Sequence, residues 1–96
     1  MDRRPESWTV NFSVHVEVSG LEGIADPEGR TIERALPALG FDGVTTVRVG
    51  KVIRFSLDAP DAAAAHAEAE EMCKRLLANP VIEQATVTVT AGDRSP

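Results

Sequence analysis

Between Thr45 and Leu57, Val47, Val49, Ile53, Phe55 and Leu57 all fall at odd positions, in a phase that survives Gly50 in the middle of the run. Successive side chains of a strand point to opposite faces, so one face is apolar and the other carries Thr46, Arg48, Arg54 and Ser56. From Val47 onward, Lys51 is the odd-numbered exception. A two-residue loop at Gly50-Lys51 pairs Val49 with Val52 and Val47 with Arg54, which forces Arg54 and Ser56 onto the apolar face. Two arrangements keep the phase. One is a three-residue loop, Gly50 to Val52, that pairs Val49 with Ile53 and Val47 with Phe55; the other is one long bent strand. Glycine suits both, as a positive-φ turn residue or at a bulge. An unbroken strand from Val44 to Leu57 spans roughly 45 Å, far beyond the usual five or six residues, and needs a second chain to pair with. The two arrangements therefore correspond to a self-contained monomer and a segment-swapped dimer.

The flanking sequence supplies the other layers. Trp8 to Val18 alternates without fault, with even positions apolar, and predicts a half-buried strand. Ser19 to Ala25 reads as a loop anchored by Leu21 and Ile24. Asp26-Pro27 predicts a helix start, because the carboxylate accepts from first-turn amides and proline fits the first helical position. Ile32, Ala35, Leu36 and Leu39 give this helix one apolar stripe, Gly40 is placed to cap it, and Pro37 predicts a kinked or tightened last turn.

Asp58-Ala59-Pro60-Asp61 predicts a second helix start, with Asp58 as the cap. That helix runs to about Ala78, where Asn79-Pro80 stops it; Ala62, Ala65, Ala69, Met72 and Leu76 form its stripe, flanked by Cys73 and Leu77. Glu70 with Lys74 and Glu71 with Arg75 are spaced as i,i+4 ion pairs. Val81, Ala85, Val87 and Val89 alternate with Glu83 and three threonines as the last strand. The order β-α-β(-β)-α-β is an α+β layer, an antiparallel sheet with two helices on one face, related to the ferredoxin-like fold. Residues 8–90 are read as one domain, 1–7 as a flexible arm and 91–96 as a tail.

A chain of 96 residues with a formal net charge of −5 and 4% aromatic residues is poorly suited to neutralising phosphates or stacking bases, so nucleic acid is not an expected partner. Met1 to Ser7 is polar and no apolar run long enough to span a bilayer follows, so neither a signal peptide nor a membrane partner is expected. Cys73 is the one cysteine, which leaves no intrachain disulfide and suits a cytoplasmic setting. His15 and His66 lack a second ligand at a metal spacing, and Gly20-Leu21-Glu22-Gly23 lacks the Lys-Ser/Thr of a phosphate loop. No catalytic, cofactor or metal residue is expected. Arg48, Lys51 and Arg54 stand apart as three cations on one stretch of an acidic chain. With Gly50 they form the candidate partner contact, although a solvated strand face that discourages edge aggregation explains them equally well.

Three segments carry a family resemblance: Asp26-Pro27-Glu28-Gly29, Val47-Arg48-Val49-Gly50-Lys51, and the run from Glu70 through Asn79-Pro80 to Glu83. Over roughly Val10 to Val89 the chain resembles the PurS family, the small subunit of phosphoribosylformylglycinamidine synthase. The resemblance implies a non-catalytic subunit of an ATP- and glutamine-dependent carbon–nitrogen ligase in purine biosynthesis. It implies that the chain bridges a synthetase subunit, PurL, and a glutaminase subunit, PurQ, that it supports ammonia transfer, and that it works as a homodimer or larger self-assembly. ATP and Mg are then held by the synthetase subunit and not by this chain. Pro37 and the Met1 to Ser7 arm depart from the family pattern. The competing reading is a stand-alone ferredoxin-like domain that senses a small ligand.

Overall fold

The computed structural model describes residues 9–91. Strand β1 (Val10–Gly20) lies in the centre of a three-stranded antiparallel sheet, between β2 (Gly50–Ala59) and β3 (Glu83–Ala91). The alternation decides which side faces inward. Phe12, Val14, Val16 and Val18 are at most 5% exposed, while their odd-numbered neighbours lie on the open polar face. The register aligns Val16 with Ile53 on one side and with Val87 on the other, so the odd positions of both outer strands join the same apolar face. Being edge strands, they leave Ile53, Phe55, Leu57, Ala85, Val87 and Val89 only half-buried.

Helix α1 (Pro27–Ala35) starts at Asp26, whose carboxylate accepts from the Gly29 amide at 2.9 Å. Pro37 tightens its end into a 3-10 turn, Leu36–Leu39, and Gly40 closes it in the left-handed region at φ 98°. Helix α2 (Ala62–Met72) packs across the apolar face of the sheet, with Ala65 and Ala69 fully buried against it, since their small side chains let the backbone come close. The last turn of α2 widens into a π turn, Cys73–Leu77.

That widening accounts for two departures from the sequence reading. A π turn rotates each residue by less than an α turn does. Leu77 and Ala78 therefore swing under the helix beside buried Cys73, whereas Leu76, expected on the stripe, is 82% exposed. Lys74 is carried away from Glu70 as well, and Glu70 faces His66 at 3.8 Å instead; the expected Glu71–Arg75 pair forms at 2.8 Å.

Two boundaries also move. The cap of α2 is Asp61, which accepts from the Ala64 amide at 2.8 Å, because β2 stays paired as far as Ala59 and Asp58 is held across the strands by Asn11. Strand β3 begins at Glu83 and not at Val81, because the Asn79 carbonyl accepts from both the Ile82 and Glu83 amides and turns the chain there. Ala91, read as part of the tail, ends β3; Trp8, the 1–7 arm and residues 92–96 lie outside the described residues.

The molecule is a thin plank. Its extents are 60 × 33 × 16 Å and its radius of gyration is 18.2 Å, against about 12 to 13 Å for a compact chain of this length. Residues 44–49 lie outside the β1–β2 ladder and hold α1 there through Glu33 and the capping Asp26. Stability thus rests on the short stack of α2 over the sheet. Replacing fully buried Val16 with Ala should cost about 2 to 3 kcal/mol in urea unfolding, whereas Val10→Ala, at a side chain 45% exposed, should stay within about 0.5 kcal/mol.

Candidate functional site: the opened strand

Of the two phase-keeping arrangements, the closed hairpin is absent, and the long strand is not formed either, because β2 begins at Gly50. Phe55 lies opposite Val14 of β1, and no tight reversal brings Val47 back beside it. Residues 44–49 lead into β2 from outside the sheet as irregular chain, with Thr46 in the left-handed region at φ 58°. Gly50 is neither a positive-φ turn nor a bulge; it is a point of close approach between β2 and β1. A Cβ there would sit 2.5 Å from the Val18 carbonyl oxygen, so any side chain forces the two strands apart.

The extended segment is fastened to α1 by two carboxylates. Asp26 uses one oxygen to cap the helix, while its Oδ2 accepts from the Val49 amide at 2.8 Å and faces Arg48 Nε at 3.6 Å. Glu33, nearly two turns along, accepts from the Val47 amide at 3.0 Å. Alternate amides of an extended chain point the same way, which is why Val47 and Val49 both reach the helix. Gly29 makes the approach possible: a Cβ there would lie 2.6 Å from the Val47 carbonyl oxygen. Arg48 closes the arrangement by donating to the Gly20 and Leu21 carbonyls at 3.1 and 3.4 Å. The Val49 and Gly29 amides, helped by Arg48, hold the Asp26 carboxyl below its ordinary value of 3.8.

Around this knot lie a groove of about 460 Å³, lined among others by Asp26, Arg48, Val49 and Ile82, and an uncovered apolar surface. Ile32 of α1 is 39% exposed, and beyond the helix Leu39 and Phe41 are 70% and 57% exposed. The α1 stripe therefore exists as expected but covers nothing within the described chain.

The candidate contact residues have different surroundings. Arg48 is occupied in fastening α1, Gly50 spaces the strands, Lys51 lies opposite Val18 at the end of the apolar face, and Arg54 stands beside His15 on the polar face. Arg48, Gly50 and Lys51 line one groove at the start of β2, and Arg54 lies apart from it. Asp26, Glu33 and Gly29 are the members that sequence reading missed in this role. The capping signal revealed only one of the two Asp26 oxygens, and nothing local marks Glu33 as a partner for an amide fourteen residues away. Burial pushes the Cys73 thiol above its ordinary range, and the Glu70 carboxylate adds to the shift, which keeps it protonated and unreactive. Among the described residues, no three His, Cys, Asp or Glu side chains are grouped to hold a metal ion.

With its central hairpin spread open and one helix displaced onto the spread arm, this chain is an α+β domain of the ferredoxin-like class. The PurS family model, described as phosphoribosylformylglycinamidine (FGAM) synthase, matches residues 13–91, and the chain belongs to the PurS family. It is 39% identical over 85 residues to the phosphoribosylformylglycinamidine synthase subunit PurS of Synechocystis, covering 88% of this chain and 85% of that one. The crystal structure of Methanocaldococcus jannaschii PurS, a subunit of formylglycinamide ribonucleotide amidotransferase in the purine biosynthetic pathway, superposes with a TM-score of 0.77 at 39% identity. It covers 85% of this chain and 99% of that one. The structure of PurLQS from Thermotoga maritima contains a chain that matches with a TM-score of 0.77 at 31% identity, covering 83% and 98%.

Two outcomes test the site. Gly50→Ala should destabilise the fold by about 1 to 3 kcal/mol in chemical unfolding, since the clash is with backbone and cannot be relieved by a rotamer. Asp26→Ala should lower stability at neutral pH, and the sign of its pH dependence follows from the depressed carboxyl. The native advantage is fully present above 3.8 and disappears as the pH falls through the lower folded value, so unfolding curves of the two proteins should converge in acid.

Proposed function

We propose that this chain is the small, non-catalytic subunit of FGAM synthase, joining the synthetase subunit PurL to the glutaminase subunit PurQ and supporting ammonia transfer between them. The observation that carries the reading is its likeness, at 31% identity over nearly the whole domain, to a chain of the Thermotoga maritima PurLQS structure. The chemistry then belongs to the partners, with ATP and Mg held by the synthetase subunit. This chain supplies surfaces, and its setting is the cytoplasm.

The functional form we propose is a segment-swapped homodimer. β2 is an edge strand, and its outer side is open. Residues 44–49 of a second copy, laid along that side, pair Val49 of one chain with Ile53 of the other and Val47 with Phe55. These are the same pairs that a closed hairpin makes within one molecule. The swap brings exposed Ile32 of α1 and Leu39 of the following turn over the half-buried face of the partner's sheet, removing apolar surface from water on both sides. Specific association and a two-fold arrangement follow from one strand geometry. Arg54, exposed and without an ion pair among the described residues, remains available to PurL or PurQ.

Reconstitution tests the assignment. With PurL and PurQ from the same source, the glutamine-dependent rate should collapse when this chain is left out while the ammonia-dependent rate survives; full glutamine-dependent activity without it would refute the bridging role. Arg54→Ala should leave unfolding stability within about 0.5 kcal/mol and weaken co-elution with the partners.

A further inference from the structure

The register of the swap has a consequence for one charged residue. Val49 pairs with Ile53 and Val47 with Phe55, so the exchange is centred on residue 51, and Lys51 is its own partner across the two-fold axis. The side chains of both copies then stand opposite one another, with Cβ atoms about 5 Å apart. As an odd-numbered residue, Lys51 shares the face of Ile53 and Phe55. Like charges placed directly opposite each other weaken a sheet. In a chain whose formal net charge is −5, the seam of the pair is thus a local concentration of positive charge.

Within one chain no carboxylate meets that charge. Lys51 is exposed and enters no ion pair among the described residues. It helps to line a groove of about 330 Å³ together with Glu17, Val18, Ser19, Arg48 and Gly50. Glu17, the one acid of that lining, stands opposite Val52 and Thr86 and so projects from the polar face, away from Lys51. Asp26 and Glu33, the acids that fasten the neighbouring segment, are engaged as well. Asp26 accepts from the Gly29 and Val49 amides and faces Arg48, and Glu33 accepts from the Val47 amide. Gly50 has no side chain and tolerates none, which leaves the backbone beside Lys51 uncovered.

We infer that the seam of the swapped pair is an anion site, in which the two Lys51 ammonium groups, one from each copy, hold a single phosphate-type oxyanion on the two-fold axis. The inference rests on the proposed segment swap, since one chain supplies only half of the site. Charge and symmetry select the ligand class. A phosphate group carries about −1.5 to −2 charges near neutrality, which matches two lysines. A tetrahedral group has two-fold symmetry of its own, so each ammonium meets an equivalent oxygen. Lysine binds such a group as a point charge, without the planar fork geometry of arginine. The bound ion turns repulsion across the seam into attraction, so anion and swap stabilise each other.

Two measurements separate this site from the swap beneath it. Lys51→Cys puts two thiols about 5 Å apart across the axis, whereas Ser56→Cys leaves its two copies about 33 Å apart. Both positions are exposed, and the parent chain with its buried Cys73 is the control. Under oxidised glutathione, Lys51→Cys should give about tenfold more disulfide-linked pair than Ser56→Cys. Equal or absent linking would overturn the swap and the inference with it. Calorimetry of the unaltered chain at fixed ionic strength should find one inorganic phosphate per two chains. Replacing chloride with about 10 mM phosphate should raise the unfolding midpoint by about 3 °C. Lys51→Met, which keeps the stem and removes the charge, should abolish both effects. AMP offered in place of phosphate reads the source. Binding at the same stoichiometry extends the site to phosphate monoesters, binding of inorganic phosphate alone confines it to the free ion, and both results support the inference. If Lys51→Cys links but phosphate does not bind, binds once per chain, or binds Lys51→Met equally well, the swap stands and the anion site is wrong.

Discussion

The pairing of β1 with strands on both sides is the constraint from which the rest follows. Phe12, Val14, Val16 and Val18 are buried because β1 is central, and its even-odd alternation dictates the phase of both neighbours. A slip of one residue in either ladder would turn Ile53, Phe55 and Leu57, or Val87 and Val89, to the polar side. α2 and its π turn can cover this face with little more than Ala65, Ala69 and Cys73 because the strands beneath present a continuous apolar surface. The short side chains allow a close approach, and Leu77 and Ala78 close the far end once the π turn has brought them under.

A second constraint acts where β1 stops. The extended segment beyond Gly50 has no neighbouring strand to satisfy its amides, and polar side chains of α1 do so in place of a ladder. Asp26 serves two elements at once, capping the helix with one oxygen and holding Val49 with the other. Helix α1 and the segment before β2 are consequently fastened to one another at two points. The neutralising contact with Arg48 ties that arm to the end of β1, so its angle is set by three elements together.

Much of this was legible in the sequence because it is local. The unbroken phase from Val47 to Leu57 excluded a two-residue hairpin, Asp26-Pro27 and Pro37 marked the start and the tightened end of α1, and alternation found β1 and most of β3. What escaped depends on geometry at a distance. The π turn inserts a rotational offset that no periodicity rule anticipates, and it decided against Leu76 and against the Glu70–Lys74 pair. Asp58 and Asp61 are equally good caps by composition; only the length of the β1–β2 ladder chooses between them. Of the three cations, Arg48 and Lys51 line one groove, while Arg54, six residues from Arg48 along the chain, stands about 20 Å further on beside His15. The residues that shape the opened strand, Gly29, Glu33 and the second oxygen of Asp26, act across the fold and leave no local signature.

The plank is only 16 Å deep, one sheet and one helix thick. A body of that depth has no room to wall off a small reactive molecule from bulk water by itself, because every point within it lies a side chain or two from solvent. If nitrogen travels past this polypeptide between two active sites, the conduit's walls must come from several chains at once, and its seal can be no better than the fit at their seams.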